Sequence, residues 1–458
     1  MLNLVLFGYS SLRLETDAVY KALEQSLYTK EKLMFAFVFD ESLSCVEVQT
    51  NSYLFLNNAL ISLKNIIKKY FDADIVIVKA DTMSFLLSLA NQYGELKVYT
   101  SVIYEDKYLT FYKTIDKTIS NNKNLKVAIN YYNDSLIFTP KKILNNSGEP
   151  FKVFTHFYNH IKNKNLTNKV EAIDFSKYKN VAFVSSELPF GKMLQADNNF
   201  IAYKDCYDSC SNTLRDFLNN KLLTYKNKRD YFSLENTSLM SRYLRFGIVS
   251  PLKVLDEALK VLTLNNQLED DNFIKEIIWR EFAYYILYHY PYITTKDFKA
   301  NVYKNFIWEN EKLFIDKFES GKTGYPLIDA GINQLISTGN MHNRVRMCVA
   351  SFFVKNLQIP WQIGAKFFMK HLIDADMVIN SFSWQWVAGC GVDSAQYFRI
   401  FNPLLQNKKF DENCEYIKKY LPNLSHLSNK EIFQLYESDS NIVDFKKSRK
   451  LFLEKIKL

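Results

Sequence analysis

The side chains best suited to chemistry are concentrated in one stretch of the chain. All five Trp fall between residues 279 and 386, although Phe and Tyr are spread throughout. The same stretch holds Arg344 and Arg346 in a helical run with apolar neighbours nearly all round, and Asp374 and Asp376 in another apolar segment. Such charges are expected to be buried, and a buried charge needs a partner. The two Asp are therefore the candidate partners of the two Arg.

A buried ionic cluster beside Trp is more costly than an ordinary core requires. It predicts a site for a large polar cofactor or substrate. The alternative for each residue alone is that the Trp fill a core and the charges lie in solvent.

Several other chemistries lack their motifs. The chain has no Gly-x-Ser-x-Gly, no Gly-x4-Gly-Lys-Ser/Thr and no His-Glu-x-x-His, which argues against common hydrolases and phosphotransferases. Cys206 and Cys210 form the only close cysteine pair, without the second pair that a zinc or iron–sulfur site needs. No metal site is predicted.

Composition and charge set broad limits. With 458 residues, 48% hydrophobic and 23% charged, the chain predicts a globular protein of two or three domains. The net charge of +9 suits a polyanionic partner, although surface Lys that only confer solubility explain it equally well. No signal peptide or membrane-spanning run is evident, so we expect a cytoplasmic protein.

Two kinds of periodicity divide the chain. Short apolar runs alternate with helical patterns over the first ~130 residues, which predicts a doubly wound parallel sheet. The predicted strands are 2–7, 33–39, 74–78, 96–99 and 125–129. No Gly-rich dinucleotide turn follows the first of them. From about residue 206 helical periodicity dominates. We therefore predict an α/β domain at 1–135, a connecting segment at 136–205 and an all-α domain at 206–458.

Several long motifs occur in one order in the second half of the chain. They are Thr237-Ser-Leu-Met-Ser-Arg-Tyr-Leu-Arg-Phe-Gly247, Trp279-Arg-Glu-Phe282, Thr323-Gly-Tyr-Pro-Leu-Ile-Asp329, Met341-His-Asn-Arg344, Asp374-Ala-Asp376, Ser383-Trp-Gln-Trp386 and Tyr397-Phe-Arg-Ile-Phe-Asn-Pro403. Together they resemble the photolyase/cryptochrome flavoproteins, and most of all the bacterial class I enzymes acting on cyclobutane pyrimidine dimers. The first domain resembles the family's Rossmann-like antenna domain only in pattern.

The resemblance implies that FAD lies in the helical domain and is active in its reduced form. It assigns to FAD the residues Tyr225, Thr237, Ser238, Leu239, Met240, Ser241, Phe273, Glu276, Arg280, Asn343, Arg346, Asp374, Ala375, Asp376 and Asn380. Within this set Arg346 would pair with Asp374 beside the flavin ring, and Asn380 would face its N5 atom. Residue 375 is Ala where the family more usually has Gly.

The resemblance further implies a DNA-repair reaction. An electron from the excited reduced flavin would split a dimer flipped out of ultraviolet-damaged DNA. The residues assigned to the lesion or the DNA are Arg229, Glu276, Trp279, Asn343, Arg344, Met347, Trp386 and Arg399. Trp308, Trp361 and Trp384 match a chain that carries electrons to oxidised flavin. We expect a monomer with no membrane partner.

Three alternatives remain open at the level of the sequence. The first is a cryptochrome-type blue-light receptor, which would keep FAD and signal through a partner. The second is a flavoprotein with a basic surface and no role on DNA. A photolyase for the six-four photoproduct is disfavoured, since Asn343 and Met347 stand where that activity needs His residues. The segment Phe7-Gly-Tyr-Ser-Ser-Leu-Arg-Leu14 departs from the family's usual opening, which leaves a folate or deazaflavin antenna chromophore as an open question.

Overall fold

The structure is a computed structural model, and it describes residues 1–122, 124–162, 173–184, 206–268, 272–309 and 311–457. Among these residues no helix combines the length and the apolar character that crossing a membrane requires.

A five-stranded parallel sheet forms the core of the first domain. Its strands are β1 (Leu2–Phe7), β2 (Lys32–Phe39), β3 (Ile75–Lys79), β4 (Leu96–Ser101) and β5 (Val127–Tyr132). They lie side by side in the order β3-β2-β1-β4-β5. The central strand β1 pairs with β2 and β4, so that Leu4 lies opposite Met34 and Val98. The five predicted strands are confirmed.

Helices cover both faces of this sheet, as the doubly wound prediction requires. Those between the strands are α1 (Asp17–Thr29), α2 (Asn51–Phe71), α3 (Thr82–Tyr93) and α4 (Asp106–Asn121). Alternate residues of a strand point to opposite faces. Val5 and Phe7 therefore share one apolar cluster with α2 and the second domain. Leu2 and Leu4 share another with α3 and α4.

The second domain is helical, which confirms the predicted all-α class. Its helices are α6 (Cys206–Asn220), α7 (Tyr225–Lys228), α8 (Ser241–Arg245), α9 (Pro251–Leu264), α10 (Asn272–His289), α11 (Lys312–Glu319), α12 (Pro326–Thr338), α13 (Asn343–Ser351), α14 (Trp361–His371), α15 (Met377–Ala388), α16 (Pro403–Phe410), α17 (Glu415–Tyr420), α18 (Asn429–Leu435) and α19 (Phe445–Lys455). A π-helical turn at Phe352–Asn356 follows α13.

The connecting segment is more ordered than its Asn- and Lys-rich sequence predicts. Helix α5 (Phe154–Lys162) forms within it. Residues 182–184 then return to the sheet, where Leu33 donates to Ala182 O at 2.8 Å and accepts from Val184 N at 3.0 Å. Two parts of the predicted segment, 163–172 and 185–205, lie outside the described residues.

The two domains meet through closely packed backbone and buried polar contacts. Gly247 has φ +61°, and a Cβ there would lie 2.0 Å from the carbonyl oxygen of Ser10, so only glycine fits. Arg13 donates to Gly247 O at 3.0 Å and to Asp134 O at 2.6 Å. These contacts fix the sheet relative to the helices that form the site.

Glu281 is a buried link between the second domain and the start of the connecting segment. Its carboxylate accepts from the Ile137 amide at 2.7 Å and from Arg280 Nη1 at 2.9 Å. Burial raises the pKa of Glu281 to about 7, because the charged form loses its water, and Arg280 and the amides offset this only in part.

Glu281→Gln is expected to remove one pH dependence of stability. The folded pKa of Glu281 lies above the unfolded value of about 4.3, so the folded state binds the proton more tightly. The stability contributed by this proton is present below pH ~4.3 and is lost as the pH rises through 7. In urea unfolding, the free energy of unfolding of the wild type should fall relative to that of Glu281→Gln as the pH rises from 5 to 8. The exposed substitution Glu437→Gln serves as the control, and parallel curves for wild type and Glu281→Gln would contradict the assignment.

Candidate functional site

Three helices form the framework of the site. Helices α10 and α13 both pack against α15. The α10 positions 276, 279 and 280 are spaced i, i+3 and i+4, so they share one face of that helix. Residues 237–241 approach from the start of α8, and residues 374–376 precede α15.

The predicted ion pair between Arg346 and Asp374 is present. Arg346 Nη2 lies 3.3 Å from each carboxylate oxygen of Asp374, and Arg346 Nε donates to Met341 O at 2.8 Å. Burial by itself would raise the pKa of Asp374, but Arg346 and a hydrogen bond from the Ser241 hydroxyl outweigh it and lower that pKa. Asp374 is therefore a stable anion that joins α13 to the start of α8.

The 237–241 run has the features of an anion cradle. Leu239 adopts φ +53°, a left-handed conformation that a bulky residue rarely takes and that is typical of functional turns. The buried Nδ2 of Asn236, directly before the run, has no hydrogen-bond partner among the described residues. In turns that include a left-handed residue, successive backbone N–H groups can form a concave binding site for an anion such as a phosphate. The chemistry of the run fits the phosphates of FAD.

Two further predicted cofactor residues have fixed orientations. Asn380 is buried, and its Nδ2 donates to Ala365 O at 2.8 Å, which sets the plane of the amide. Asp376 caps α15 by accepting from the amides of Val378 at 2.9 Å and Ile379 at 3.0 Å. The other oxygen of Asp376 accepts from Tyr284 at 2.7 Å. Hydrogen bonds to protein thus engage both oxygens of Asp376.

The remaining predicted cofactor residues are distributed around this framework. Tyr225 and Phe273 pack edge to face with ring centroids 5.5 Å apart. Arg280 donates to Ser135 O at 3.3 Å, so it faces the domain interface. Asn343 is exposed at the first turn of α13. The others in the runs are Thr237, Ser238, Met240 and Ala375, of which Met240 and Ala375 are buried.

Two predicted lesion residues on α10 have protein partners. Glu276 forms an ion pair with Arg229. The Trp279 ring stacks face to face on Phe154 of α5, with centroids 3.7 Å apart and planes 5° from parallel. Phe154 thus covers one face of the indole and fixes its plane.

The predicted pairing of Arg344 with the two Asp is wrong. Arg344 forms its ion pair with Asp230, a residue 114 positions earlier in the chain. Asp376 instead lies 4.0 Å from Arg245 Nη1. The side chains of residues 344 and 346 leave α13 in different directions, because positions i and i+2 of a helix are rotated by about 200° around its axis. The prediction treated the two Arg as facing one partner segment.

Met347, Trp386 and Arg399 lie at the outer side of the helical core. Met347 and Trp386 are partly buried against it. Arg399 is exposed, and its guanidinium carbon lies 5.9 Å from the Trp386 ring centroid. A cation over an aromatic face is favourable, so Arg399 and Trp386 form one mixed surface.

The three Trp assigned to electron transfer belong to one apolar cluster. Trp384 and Trp361 are 2% and 1% exposed, whereas Trp308 is only partly buried. Trp308 packs on Tyr303 with centroids 4.7 Å apart. The cluster therefore extends from buried indoles to one that is partly exposed.

Gly364→Ala is expected to destabilise the contact between α14 and α15. A Cβ at 364 would lie 2.2 Å from Cη2 of the rigid, buried Trp384 ring. Ala favours helices by about 1 kcal/mol over Gly, but overpacking costs about 1–3 kcal/mol, and a fixed indole places this site at the upper end. Urea unfolding should show a net loss of about 1–2 kcal/mol. Lys366→Ala on the exposed side of α14 is the control, and a net gain from Gly364→Ala would contradict the packing argument.

The crevice at the carboxyl ends of β1 and β4 is where doubly wound sheets bind ligands. Here it contains three buried side chains: Tyr9, Glu105 and Arg245. Tyr9 donates to Glu105 at 2.8 Å, and Arg245 Nη1 donates to the other oxygen at 2.9 Å. A ligand at this crevice would have to displace these side chains. The unusual Phe7–Leu14 segment of the sequence supplies Tyr9.

Sequence reasoning missed several residues that contact the site. They are Phe154, Asp230 and Gly364, together with Asp297, which accepts from Trp361 Nε1, and Gln385, which donates to Ile293 O in the loop that carries Asp297. Gln385 lies between Trp384 and Trp386, so its position was a usable signal. The others are far from their partners in sequence.

Known proteins with similar sequences are photolyases. A family model described as DNA photolyase matches residues 6–174, and one described as the FAD binding domain of DNA photolyase matches residues 273–457. The deoxyribodipyrimidine photo-lyase of Buchnera aphidicola subsp. Baizongia pistaciae is 34% identical over 393 residues, covering 81% of this chain and 79% of that protein. Among described residues no cluster of three or more His, Cys, Asp or Glu could hold a metal.

Solved structures share the whole fold. A bacterial class III photolyase from Agrobacterium tumefaciens superposes with a TM-score of 0.87 at 27% identity, over 100% of this chain and 98% of that one. A cryptochrome from Synechocystis gives a TM-score of 0.82 at 22% identity, over 99% of both chains. The fold is thus common to a photolyase and a cryptochrome.

Proposed function

The chain belongs to the DNA photolyase family, and from this premise we propose that it repairs cyclobutane pyrimidine dimers in DNA in a light-driven, FAD-dependent reaction. Sequence motifs favour class I within the family, and that class stays a prediction. The observation that carries the proposal is the connection of the Arg346–Asp374 pair, through Ser241, to the strained turn at Leu239. One side of the site is thereby built for an extended polar cofactor.

Bound FAD would supply the light absorption and the electron that splits the dimer. The residues that would hold it are the 237–241 run at the phosphates, with Arg346, Asp374 and Asn380 at the ring. Asn380 contributes a fixed amide, whose Nδ2 is already bonded to Ala365 O at 2.8 Å. Because a preorganised dipole needs no rearrangement during the reaction, this position suits a group that controls protonation at a ring nitrogen.

The lesion would be recognised by the aromatic residues beside this pocket. The Trp279 indole has one face on Phe154, which fixes the ring for stacking on an extruded base. Trp386 with Arg399 offers a second aromatic surface, edged with positive charge. Glu276 and Asn343 supply hydrogen-bonding groups for the base edges, and Met347 supplies an apolar contact.

The cations Arg229 and Arg344 are paired with Glu276 and Asp230. We propose that DNA phosphates compete for these guanidinium groups and so free Glu276 for the dimer. Contacts of this kind give affinity without sequence preference, and they weaken as salt concentration rises.

We propose that Trp384, Trp361 and Trp308 carry electrons inward to oxidised flavin. Their shared apolar cluster, in which Trp384 and Trp361 are buried and Trp308 is partly exposed, supports this assignment. The relay would prepare the enzyme for repair and would take no part in splitting the dimer.

The test of the repair function uses purified protein with chemically reduced FAD and ultraviolet-irradiated oligothymidine. Illumination should restore the absorbance of intact thymine near 260 nm, which dimer formation removes. Dark incubation is the control. Absence of recovery under light would reject the repair proposal and leave the receptor alternative.

Repair of the six-four photoproduct is disfavoured by the state of His342. Burial, together with Arg344 and Arg346, lowers the pKa of His342 to about 4, although Asp230 acts in the opposite direction. Its Nδ1 also accepts from the Arg344 amide at 3.2 Å. This imidazole is therefore neutral at pH 7 and cannot serve as the protonated donor which that reaction requires.

A further inference from the structure

The two buried Trp of the proposed relay have opposite electrostatic surroundings. Trp361 Nε1 donates to the carboxylate of Asp297 at 2.7 Å. Trp384 Nε1 is buried and has no hydrogen-bond partner among the described residues. The Trp384 ring packs edge to face on Phe353 and Phe368, at centroid distances of 5.8 and 5.0 Å. One indole faces a negative charge and the other an apolar wall.

The loop that carries Asp297 is held in place by Gln385. Its Nε2 donates to Ile293 O at 2.6 Å and to Lys296 O at 3.1 Å. Its Oε1 accepts from the Phe298 amide at 2.9 Å. Gln385 is buried and follows Trp384 directly in α15. Helix α15, which carries Trp384, thus also holds the loop that places Asp297 beside Trp361.

The Cys390 thiol lies near the same carboxylate, and its Sγ also donates to Gln385 O at 4.0 Å. Burial raises the pKa of the Cys390 thiol, and the negative charge of Asp297 and a hydrogen bond to it raise that pKa further. The thiol therefore stays protonated. The backbone of this region is tied to the loop as well, because Lys299 N donates to Cys390 O at 2.7 Å.

An indole that loses an electron becomes a cation. A carboxylate in hydrogen-bond contact stabilises that cation, and the effect is strong where burial limits screening by water. An indole with an unpartnered N–H among Phe rings receives no such stabilisation. An electron vacancy on Trp384 is therefore higher in energy than the same vacancy on Trp361.

We propose that Asp297 is a positioning residue that sets the direction of electron flow between Trp361 and Trp384. The proposal rests on the relay described under the proposed function. Bound FAD, oxidised and light-excited, would supply the oxidising power that removes one electron from Trp384. One electron then passes from Trp361 to Trp384, so Trp384 is restored and Trp361 becomes the cation. Its Nε1 proton remains in the hydrogen bond to Asp297, and no bond is made or broken.

The decisive variant is Asp297→Asn in the FAD-loaded protein. The Asn side chain keeps an oxygen that can accept from Trp361 Nε1 and removes only the charge. After a laser flash on oxidised protein, transient absorption should show the yield of long-lived indole radical fall by about tenfold, which corresponds to a barrier difference of about 1.4 kcal/mol. Asp297→Glu should restore much of that yield. Asp316→Asn, an exposed change on α11, is the matched control and should match the wild type.

A second measurement tests the hydrogen bond without FAD. In the apoprotein carrying 15N-labelled indoles, the Trp361 Nε1 proton should resonate downfield of a free indole, and Asp297→Asn should shift it upfield. A wild-type radical yield in Asp297→Asn would overturn the proposal. Loss of FAD from that variant would also overturn it, by making the residue structural.

The outcome can be separated from that of the repair proposal. Repair by chemically reduced wild-type protein needs no electron from the relay. Failure of repair by the wild type, together with the tenfold loss of radical yield in Asp297→Asn, would reject the proposed substrate and keep the role of Asp297. Successful repair by the wild type, together with an unchanged radical yield in Asp297→Asn, would keep the substrate and reject the role of Asp297.

Discussion

Trp384→Phe is expected to stop light-driven reduction of bound, oxidised FAD, with at least about a hundredfold loss of rate. Phe is much harder to oxidise than Trp, and a hundredfold loss needs only about 2.7 kcal/mol of added barrier. The buried Trp384 ring is the relay member on α15, the helix that also carries Asn380. Flavin absorbance near 450 nm, followed under blue light with an external thiol donor, measures the rate.

The same variant should repair DNA normally once its flavin has been reduced by dithionite. Phe is smaller than Trp, so a stability loss of a few kcal/mol is expected and FAD content must be measured first. Trp279→Phe provides a contrast, because it should reduce repair and spare photoreduction. Equal loss of both reactions in Trp384→Phe would reject the relay and make Trp384 a core residue.

Arg346→Met is expected to lose most of the bound FAD and about 3 kcal/mol of stability. The change leaves Asp374, whose side chain is 6% exposed, with the Ser241 hydroxyl in place of its cationic partner. Removing one partner of a buried pair costs about 3–5 kcal/mol, and the partial exposure of Arg346 places this pair at the lower end. The ratio of absorbance at 450 nm to that at 280 nm reports FAD content, and urea unfolding reports stability.

The stability loss in Arg346→Met should depend on pH. In the wild type the pKa of Asp374 is lowered, so its contribution is present above about pH 3.9 and is lost as the pH falls through the folded pKa. The gap in stability between wild type and variant should therefore narrow as the pH falls below about 3.9. Arg449→Met, an exposed change on α19, is the control. Full FAD content and an unchanged urea midpoint would remove Arg346 and Asp374 from the site.

Hydrophobic patterns predicted the strands and the helical class of the second domain, because such a pattern extends over only a few neighbouring residues. A run such as 33–39 is apolar throughout because a central parallel strand is buried on both faces. The observed strand is Lys32–Phe39, a difference of one residue. Helix α5 was not predicted, because the segment before residue 206 is rich in Asn and Lys. The helical spacing of Phe154, Phe157, Tyr158 and Ile161 is the signal that indicates it.

The sequence by itself determined the fold class, the order of the domains, the family and the pairing of Arg346 with Asp374. Only the tertiary structure decided the partners of the other charges: Asp230 for Arg344, Glu276 for Arg229, and Asp297 for the indole of Trp361. The physical reason is distance along the chain. Periodicity and motif spacing report contacts within a helix or strand. Arg344 on α13 instead meets Asp230, in the turn after α7, across 114 residues of chain. The same holds for the polar side chains that occupy the crevice of the sheet, since Arg245 reaches Glu105 from the other domain.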